Sequence, residues 1–403
     1  MLELVRRRAV PRTLSLMTFN VLAPCYFRHG GRVESDDRTA FLSRAQALIH
    51  AIQRERCDLV CLQEYWFNRE YQATFRRAFY PSHYIHTLKR PGDKEDGLAI
   101  FVEKNKFEIH HVQHIDFEAD QAGDRVALLM HVATKWNRHD VPLAQRSFLV
   151  INSHLTFPHC QMYKDMRLDQ IKVVLESVRD YVTRESLENV PVLMCGDFND
   201  FNDPVHSLVM QNGYASVFAY LHGREAKITH CNHNNREVGV DFVFASHVQG
   251  ANSSSSSTSS VLTTRRRASE LIVESPDPTG TGRSTMHAVI EEEEEVRAVD
   301  PRKTSTSLID TSLQLVPRTC HLSPRNLTDE TRLKRPRFGH DWRKVQPPLQ
   351  HDDNIESDES QQQQLYDESA LVDYWRMVSD HRPLVATFDV LSPSPTVSRL
   401  ILP

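Results

Sequence analysis

Three observations predict an α/β fold with layered sheets. Strand-like and helix-like segments alternate from Leu14 to Ser246, polar clusters sit at the ends of apolar runs, and the composition changes character over residues 247–369. The expected strands are Leu14 to Asn20, Leu59 to Gln63, Leu98 to Glu103, Val126 to Val132, Phe148 to Ser153, Pro191 to Gly196 and Val240 to Phe244. Val378 to Phe388 reads as a further strand-like segment. Ile171, Val174, Leu175, Val178 and Val182 recur with the helical period and predict an amphipathic helix over Asp165 to Thr183. Asp203 followed by Pro204 signals the start of a short helix, and Gly213 suits its end.

Residues 247–369 contain Ser253 to Ser257, Glu291 to Glu295, Gln361 to Gln364 and scattered prolines without a sustained apolar period. They are expected to form a disordered insertion that could bind partners. Their basic clusters, Arg265 to Arg267 and Lys334 to Arg337, read first as solvated charge. The domain is then expected to comprise 14–246 and 370–393, between tails at 1–13 and 394–403. Loop closure grows only logarithmically, so an insertion of this length costs about 2 kcal/mol and leaves the two halves free to meet.

The chain carries 48 Lys and Arg against 53 Asp and Glu, and the whole acidic excess falls within the insertion. A balanced core lacks the broad basic footprint of a duplex-binding protein, although a narrow single-strand channel stays open. The seven cysteines are odd in number and widely spaced, which favours buried free thiols in a reducing compartment. No apolar run approaches the roughly 20 residues that span a bilayer. An intracellular protein, cytoplasmic or nuclear, without a transmembrane segment is expected. His110, His111 and His114, and His230, Cys231 and His233, lack a second cluster at structural-zinc spacing and read as ordinary residues.

The polar clusters carry the chemistry. They are Thr18-Phe19-Asn20, Leu62-Gln63-Glu64, Ser153-His154-Leu155, Cys195-Gly196-Asp197-Phe198-Asn199 and Ser379-Asp380-His381. Carboxylates, amides and imidazoles gathered at one sheet edge are costly to desolvate unless they hold a cation or a charged substrate. Phosphodiester hydrolysis needs that inventory: hard oxygen ligands for Mg²⁺, an acceptor to orient water, and donors for developing negative charge.

These motifs, in this order, resemble the endonuclease/exonuclease/phosphatase superfamily, the deoxyribonuclease-I-like group. Thr18 to Pro24, Cys61 to Glu64, Asp96 to Phe101 and Cys195 to Asn199 are similar to its carbon-catabolite-repressor-type deadenylase branch. The resemblance implies a four-layer α/β/β/α sandwich with two packed mixed sheets. It implies Glu64 as principal ligand of Mg²⁺, or of Mn²⁺ in its place, with Asn20 supporting the ion or its waters and Asp380 completing the metal environment. It implies Asp197 as the group that orients water, Asn199 holding water and phosphate in register, and His381 as a phosphate donor fixed by Asp241. His154 would be a second donor or acid.

Arg125 suits a phosphate or a carboxylate, and a structural salt bridge is an equal reading. Phe157 and Pro158 would line a base or lipid pocket, with core packing as the plain alternative. The expected activity is a Mg²⁺-dependent 3′-exoribonuclease of poly(A) acting on single-stranded RNA. A sphingomyelinase, another small phosphoester hydrolase, or a non-catalytic scaffold are the alternatives. No leucine-rich repeat precedes the motifs, so recruitment through such a repeat is not expected, and no loop of the form Asp-x-Asp-x-Asp-Gly points to calcium sensing.

Overall fold

Two six-stranded sheets, their central strands covered on both faces, account for strands such as Val126–Thr134 and Ser147–His154 that are buried at every position. The computed structural model describes residues 12–29, 31–136, 141–199, 204–231, 236–248, 313–325, 327 and 374–391. All of them belong to one compact unit formed by 1–251 and 311–403. In chain order the strands are β1 (Arg12–Asn20), β2 (Arg28–His29), β3 (Arg32–Val33), β4 (Leu59–Trp66), β5 (His83–Lys89), β6 (Asp96–Glu103), β7 (Phe107–Asp116) and β8 (Val126–Thr134). There follow β9 (Ser147–His154), β10 (Val192–Asp197), β11 (Tyr214–Ser216), β12 (His230–Cys231), β13 (Glu237–Val238), β14 (Asp241–Ser246), β15 (Gln314–Leu322) and β16 (Leu384–Leu391). The helices are α1 (Arg38–Glu55), α2 (Arg69–Phe79), α3 (Gln161–Arg184), α4 (Val205–Gln211) and α5 (Val217–His222). No helix among the described residues is long and apolar enough to cross a membrane.

One sheet runs β15-β16-β1-β4-β6-β5 and the other β11-β14-β10-β9-β8-β7. Each is mixed and has a single parallel pair at its centre, β1 with β4 in the first and β9 with β10 in the second. Strand alternation divides the apolar residues between cores. Leu14 and Leu16 of β1 meet Phe148, Val150, Leu193 and Cys195 in the core between the sheets. Met17 and Phe19 face Phe41, Leu48 and Ile52 of α1 and Phe75 of α2. Leu149, Ile151, Val192 and Met194 face Ile171, Val174 and Val178 of α3. Helix, sheet, sheet and helix thus form the four layers.

The helices start where local chemistry places them. Asp37 caps α1 by accepting from Ala40 N–H, and Asn68 caps α2 by accepting from Glu70 and Tyr71. A polar latch joins the sheets: Gln63 Nε2 donates to Asn152 Oδ1 (2.7 Å) and Thr18 Oγ1 (3.0 Å). Asn152 in turn donates to the carbonyls of Leu62 (2.9 Å) and Ala99 (3.1 Å).

The seven strands expected before residue 246 are all present, with ends shifted by up to three residues. Two expectations need correction. Within the predicted insertion, Gln314–Leu322 form β15, the edge strand paired with β16. Leu313, Leu315, Cys320 and Leu322 are buried there, but a register shift between Pro317 and Thr319 breaks the alternation that would have announced a strand. Apart from residues 247, 248, 313–325 and 327, the insertion lies outside the described residues. Secondly, Ser379-Asp380-His381 lies on a loop between a helical turn at 374–378 and β16, not within a strand. Pro383 immediately precedes β16, where its missing N–H costs no ladder bond.

Cys57, Cys61, Cys195, Cys231 and Cys320 are buried free thiols, Cys25 is half-buried and Cys160 is exposed.

Candidate active site

The carboxyl ends of the two central parallel pairs carry most of the polar clusters. In the first sheet Asn20 ends β1 beside Gln63 and Glu64 of β4. In the second, Asp197 of β10 pairs with His154 of β9 on one side and Asp241 of β14 on the other. Packing the sheets face to face brings both ends together: Asn20 Nδ2 donates to Glu64 Oε1 (3.2 Å) and to Asp197 Oδ2 (2.9 Å).

Backbone irregularities aim these groups. The β4/β6 ladder shifts register between Gln63 and Tyr65, so Glu64 is a bulged residue with φ of 55°, turned out of the strand's alternation. Its Oε2 accepts from Ala23 N–H (3.0 Å). Asn199, with φ of 49°, donates its N–H to Asp197 Oδ1 (2.9 Å) and its Nδ2 to Leu155 O (3.0 Å). Gly196 has φ of 146°, and a Cβ there would stand 1.9 Å from Ser153 O, so only glycine lets β10 approach β9 at this point.

The 379–381 loop is held from beneath. Ser379 Oγ donates to Asn20 O (2.9 Å) and accepts from His381 N–H (3.1 Å). Arg44 of α1 forms a buried ion pair with Glu34 (2.6 Å) and donates to the carbonyls of Val21 (2.8 Å), Leu22 (2.6 Å) and Val378 (3.1 Å).

His381 Nδ1 is 2.9 Å from Asp241 Oδ2, and its Nε2 lies 3.6 Å from Asp197 Oδ2. Burial works against charge on this ring, but Asp241 and Asp197 outweigh it and raise its pKa to about 10. His154 behaves oppositely. Burial and the positive Arg125 hold it well below the ordinary histidine range, so the ring is neutral. Arg125 Nη1 lies 2.9 Å from His154 Nδ1 and 3.2 Å from its Nε2, and that Nε2 is 3.5 Å from Asp197 Oδ2. Asp197 is itself pushed upward, by burial and by Asp241 against the pull of His381.

Around Glu64 the charge is unbalanced. Burial, then Asp96 and Asp380, push it up to about 7, against Arg125 and His381. Asp96 accepts from Tyr26 OH (2.7 Å) and Arg90 Nη1 (3.2 Å) through Oδ1, while its buried Oδ2 has no hydrogen-bond partner; the same is true of Asp241 Oδ1. Buried carboxylates with orphaned lone pairs fit a divalent cation, although Glu64 and Asp96 belong to neither three-ligand group of the described residues.

The profile of the Endonuclease/Exonuclease/phosphatase family matches residues 17–262, a span that holds every element of this site except the 379–381 loop. The chain belongs to that family. Among curated relatives, an uncharacterized calcium-binding protein of Arabidopsis thaliana is 32% identical over 253 residues, covering 58% of this chain and 51% of that one. A Saccharomyces cerevisiae protein named "Probable RNA exonuclease" is 23% identical over 192 residues, 46% of this chain and 37% of the relative. Carbon catabolite repressor protein 4 homolog 1 of Arabidopsis thaliana is 25% identical over 222 residues, 46% and 35% respectively. The chain spans about half the length, or less, of the curated relatives it matches.

Within this family framework, Asn20, Glu64, Arg125, His154, Asp197, Asn199, Asp241 and His381 lie in one connected network, and Asp380 acts on the charge of both Glu64 and His381. Asn20 lies beside Glu64, as expected. Its Oδ1 accepts from Leu22 N–H (3.0 Å) and its Nδ2 bridges the two carboxylates, so it ties the sheets. Phe157 and Pro158 lie half-buried on the loop after His154, with the Phe157 ring 4.7 Å from that of His159.

Sequence reasoning missed His230, whose buried ring stacks on His381, and the Tyr26, Arg90 and Asp96 group. Asp96 and Gly97 were visible in a motif without a role. His230 stood only in a zinc-like pattern with Cys231 and His233, and His233 lies outside the described residues. Of the described residues, the three-ligand groups able to hold a metal are His230, Asp380 and His381, and Asp197, Asp241 and His381; the histidines of β7 belong to neither.

Proposed function

We propose that the chain is a divalent-metal-dependent phosphodiesterase that uses Mg²⁺, or Mn²⁺ in its place, and acts as a 3′-exoribonuclease on single-stranded poly(A). The observation that carries this reading is the meeting of Asn20, Glu64, Asp197, Asn199, Asp241 and His381 at one edge from both sheets. The RNA substrate is favoured by the similarity to carbon-catabolite-repressor-type relatives and to the named RNA exonuclease.

Glu64, with Asp380, would hold the metal, which when bound would stabilise negative charge on the phosphate. Asp197 orients the attacking water, and Asn199 keeps the Asp197 carboxylate in place through its N–H. His381, charged at neutral pH, donates from Nε2 to a phosphoryl oxygen while Asp241 fixes its other nitrogen. His154 is a neutral donor in this scheme, because Arg125 beside it opposes an acid role. Arg125 is proposed to face the phosphate, and Phe157 with Pro158 to flank the departing base. An intracellular setting, cytoplasmic or nuclear, follows from an RNA substrate. A non-catalytic scaffold would have no need for the complete set.

The test is hydrolysis by purified protein with Mg²⁺ of 5′-labelled poly(A), mixed-sequence RNA, sphingomyelin and nucleotide phosphates, with Glu64→Ala alongside. Stepwise shortening of poly(A) from its 3′ end is expected, with a loss of roughly hundredfold or more in Glu64→Ala. Equal turnover by the two proteins would sink the chemistry. Cleavage of sphingomyelin without RNA would keep the chemistry and replace the substrate.

A further inference from the structure

Backbone hydrogen bonds fasten the three residues Thr229-His230-Cys231 to the 379–381 loop, and His230 Nδ1 lies 3.9 Å from Asp380 Oδ2. Arg382 N–H donates to Thr229 O (2.7 Å), and Cys231 N–H donates to Asp380 O (2.9 Å). Those bonds flank His230 and His381, making them the non-hydrogen-bonded pair of an antiparallel bridge, the arrangement that brings facing side chains closest. The imidazoles accordingly stack with centroids 3.9 Å apart and planes 25° from parallel, and both are buried. Thr229 Oγ1 also accepts from the N–H groups of Val240 (3.0 Å) and Asp241 (3.1 Å), so the same segment holds the start of β14.

We propose that His230 is a positioning residue for His381, its flat face fixing the plane in which Nδ1 meets Asp241 and Nε2 faces Asp197. The second side-chain torsion of histidine is soft, and a hydrogen bond at one ring edge restrains it only weakly. A ring stacked on the face removes the remaining freedom. The catalytic consequence rests on the phosphodiesterase reading above; the restraint itself does not.

A metal shared by His230, Asp380 and His381 is the rival reading, since their ligand atoms lie within 4.8 Å of one another. Imidazole lone pairs lie in the ring plane, and these planes are nearly parallel and stacked, so one ion cannot lie in both. A second rival is simple space filling, which any apolar side chain of similar volume would satisfy.

The test uses the full chain as His230→Ala, His230→Leu and His230→Phe. Metal-free protein labelled with ¹⁵N-histidine is read by NMR, the His381 signals being those lost in His381→Gln. Turnover of bis(p-nitrophenyl) phosphate with Mg²⁺ gives kcat and KM. His230→Ala and His230→Leu should broaden the His381 Nδ1–H signal and lower kcat about ten- to hundredfold with KM little changed. His230→Phe, which keeps a flat face but no nitrogen, should restore both. A His381 signal unaltered in His230→Ala, or His230→Phe no better than His230→Leu, would overturn the proposal. So would a loss of Mn²⁺ affinity common to all three variants. Should His230→Ala not fold, the comparison of Phe with Leu decides. Wild-type protein that turns over none of the probes would count against the phosphodiesterase reading alone, leaving the NMR comparison to decide the role of His230.

Discussion

Glu34 matters to the site without touching it, because it neutralises the Arg44 guanidinium that gathers the carbonyls of Val21, Leu22 and Val378 beneath the 379–381 loop. Glu34→Ala would leave a buried, uncompensated charge, and the expected loss is roughly 3–5 kcal/mol, read as a lowered midpoint in urea unfolding. Gly196→Ala should be at least as harmful. Its positive φ and the overlap with Ser153 O each cost about 1–3 kcal/mol, so soluble yield and thermal midpoint should both fall. Residues of this second kind were legible in the sequence, since Gly196 sits inside a motif that terminates a local apolar run. Glu64 and Asp197 follow or end such runs too, whereas His381, on a loop ahead of β16, does not. His230 and Arg44 were not legible, because their meaning comes from pairings with residues 381 and 378, far along the chain, and no local period encodes such contacts.

Elements differ in how openly they declare themselves. Strands buried on both faces, such as β8 and β9, announced their type and nearly their limits, and α3 did so through its helical period. β15 stayed hidden because Pro317 and the adjoining register shift put its buried residues out of step. On β8, His131 is a buried residue whose Nδ1 meets Tyr181 OH (2.9 Å) and whose Nε2 has no hydrogen-bond partner. Burial, and then His110, lower its pKa to about 4. Below its ordinary pKa of 6.5 the unfolded chain binds a proton that the folded chain refuses. Its contribution to stability is therefore complete above that pH and is lost as pH falls towards 4, by at most about 1.4 kcal/mol per pH unit. Urea unfolding measured across this window should show a shallower pH dependence for His131→Phe than for wild type. An identical slope in both would show that other groups set it.

At the level of the whole molecule, the two sheets repeat one plan, a central parallel pair whose carboxyl ends meet under the Gln63–Asn152 latch. The family resemblance anticipated the four layers, and the alternating segments anticipated the α/β class. What neither anticipated is that the first sheet draws its edge from beyond residue 311. Removing residues 252–310 should therefore preserve the thermal midpoint within a few degrees. Removing 247–369 takes β15 away and bares the Leu384–Leu391 strand, so a lower midpoint or aggregation is expected by light scattering. Equal stability of the two deletions would reduce β15 to a dispensable edge.

Cys160 is the exposed cysteine, whereas burial raises the thiol of Cys25 to about 12 and suppresses its reactivity. A maleimide dye should mark Cys160 first, three residues beyond Phe157 at the head of α3. The native sequence thus offers an attachment point for a fluorescent reporter on the loop that follows His154, without any engineered change.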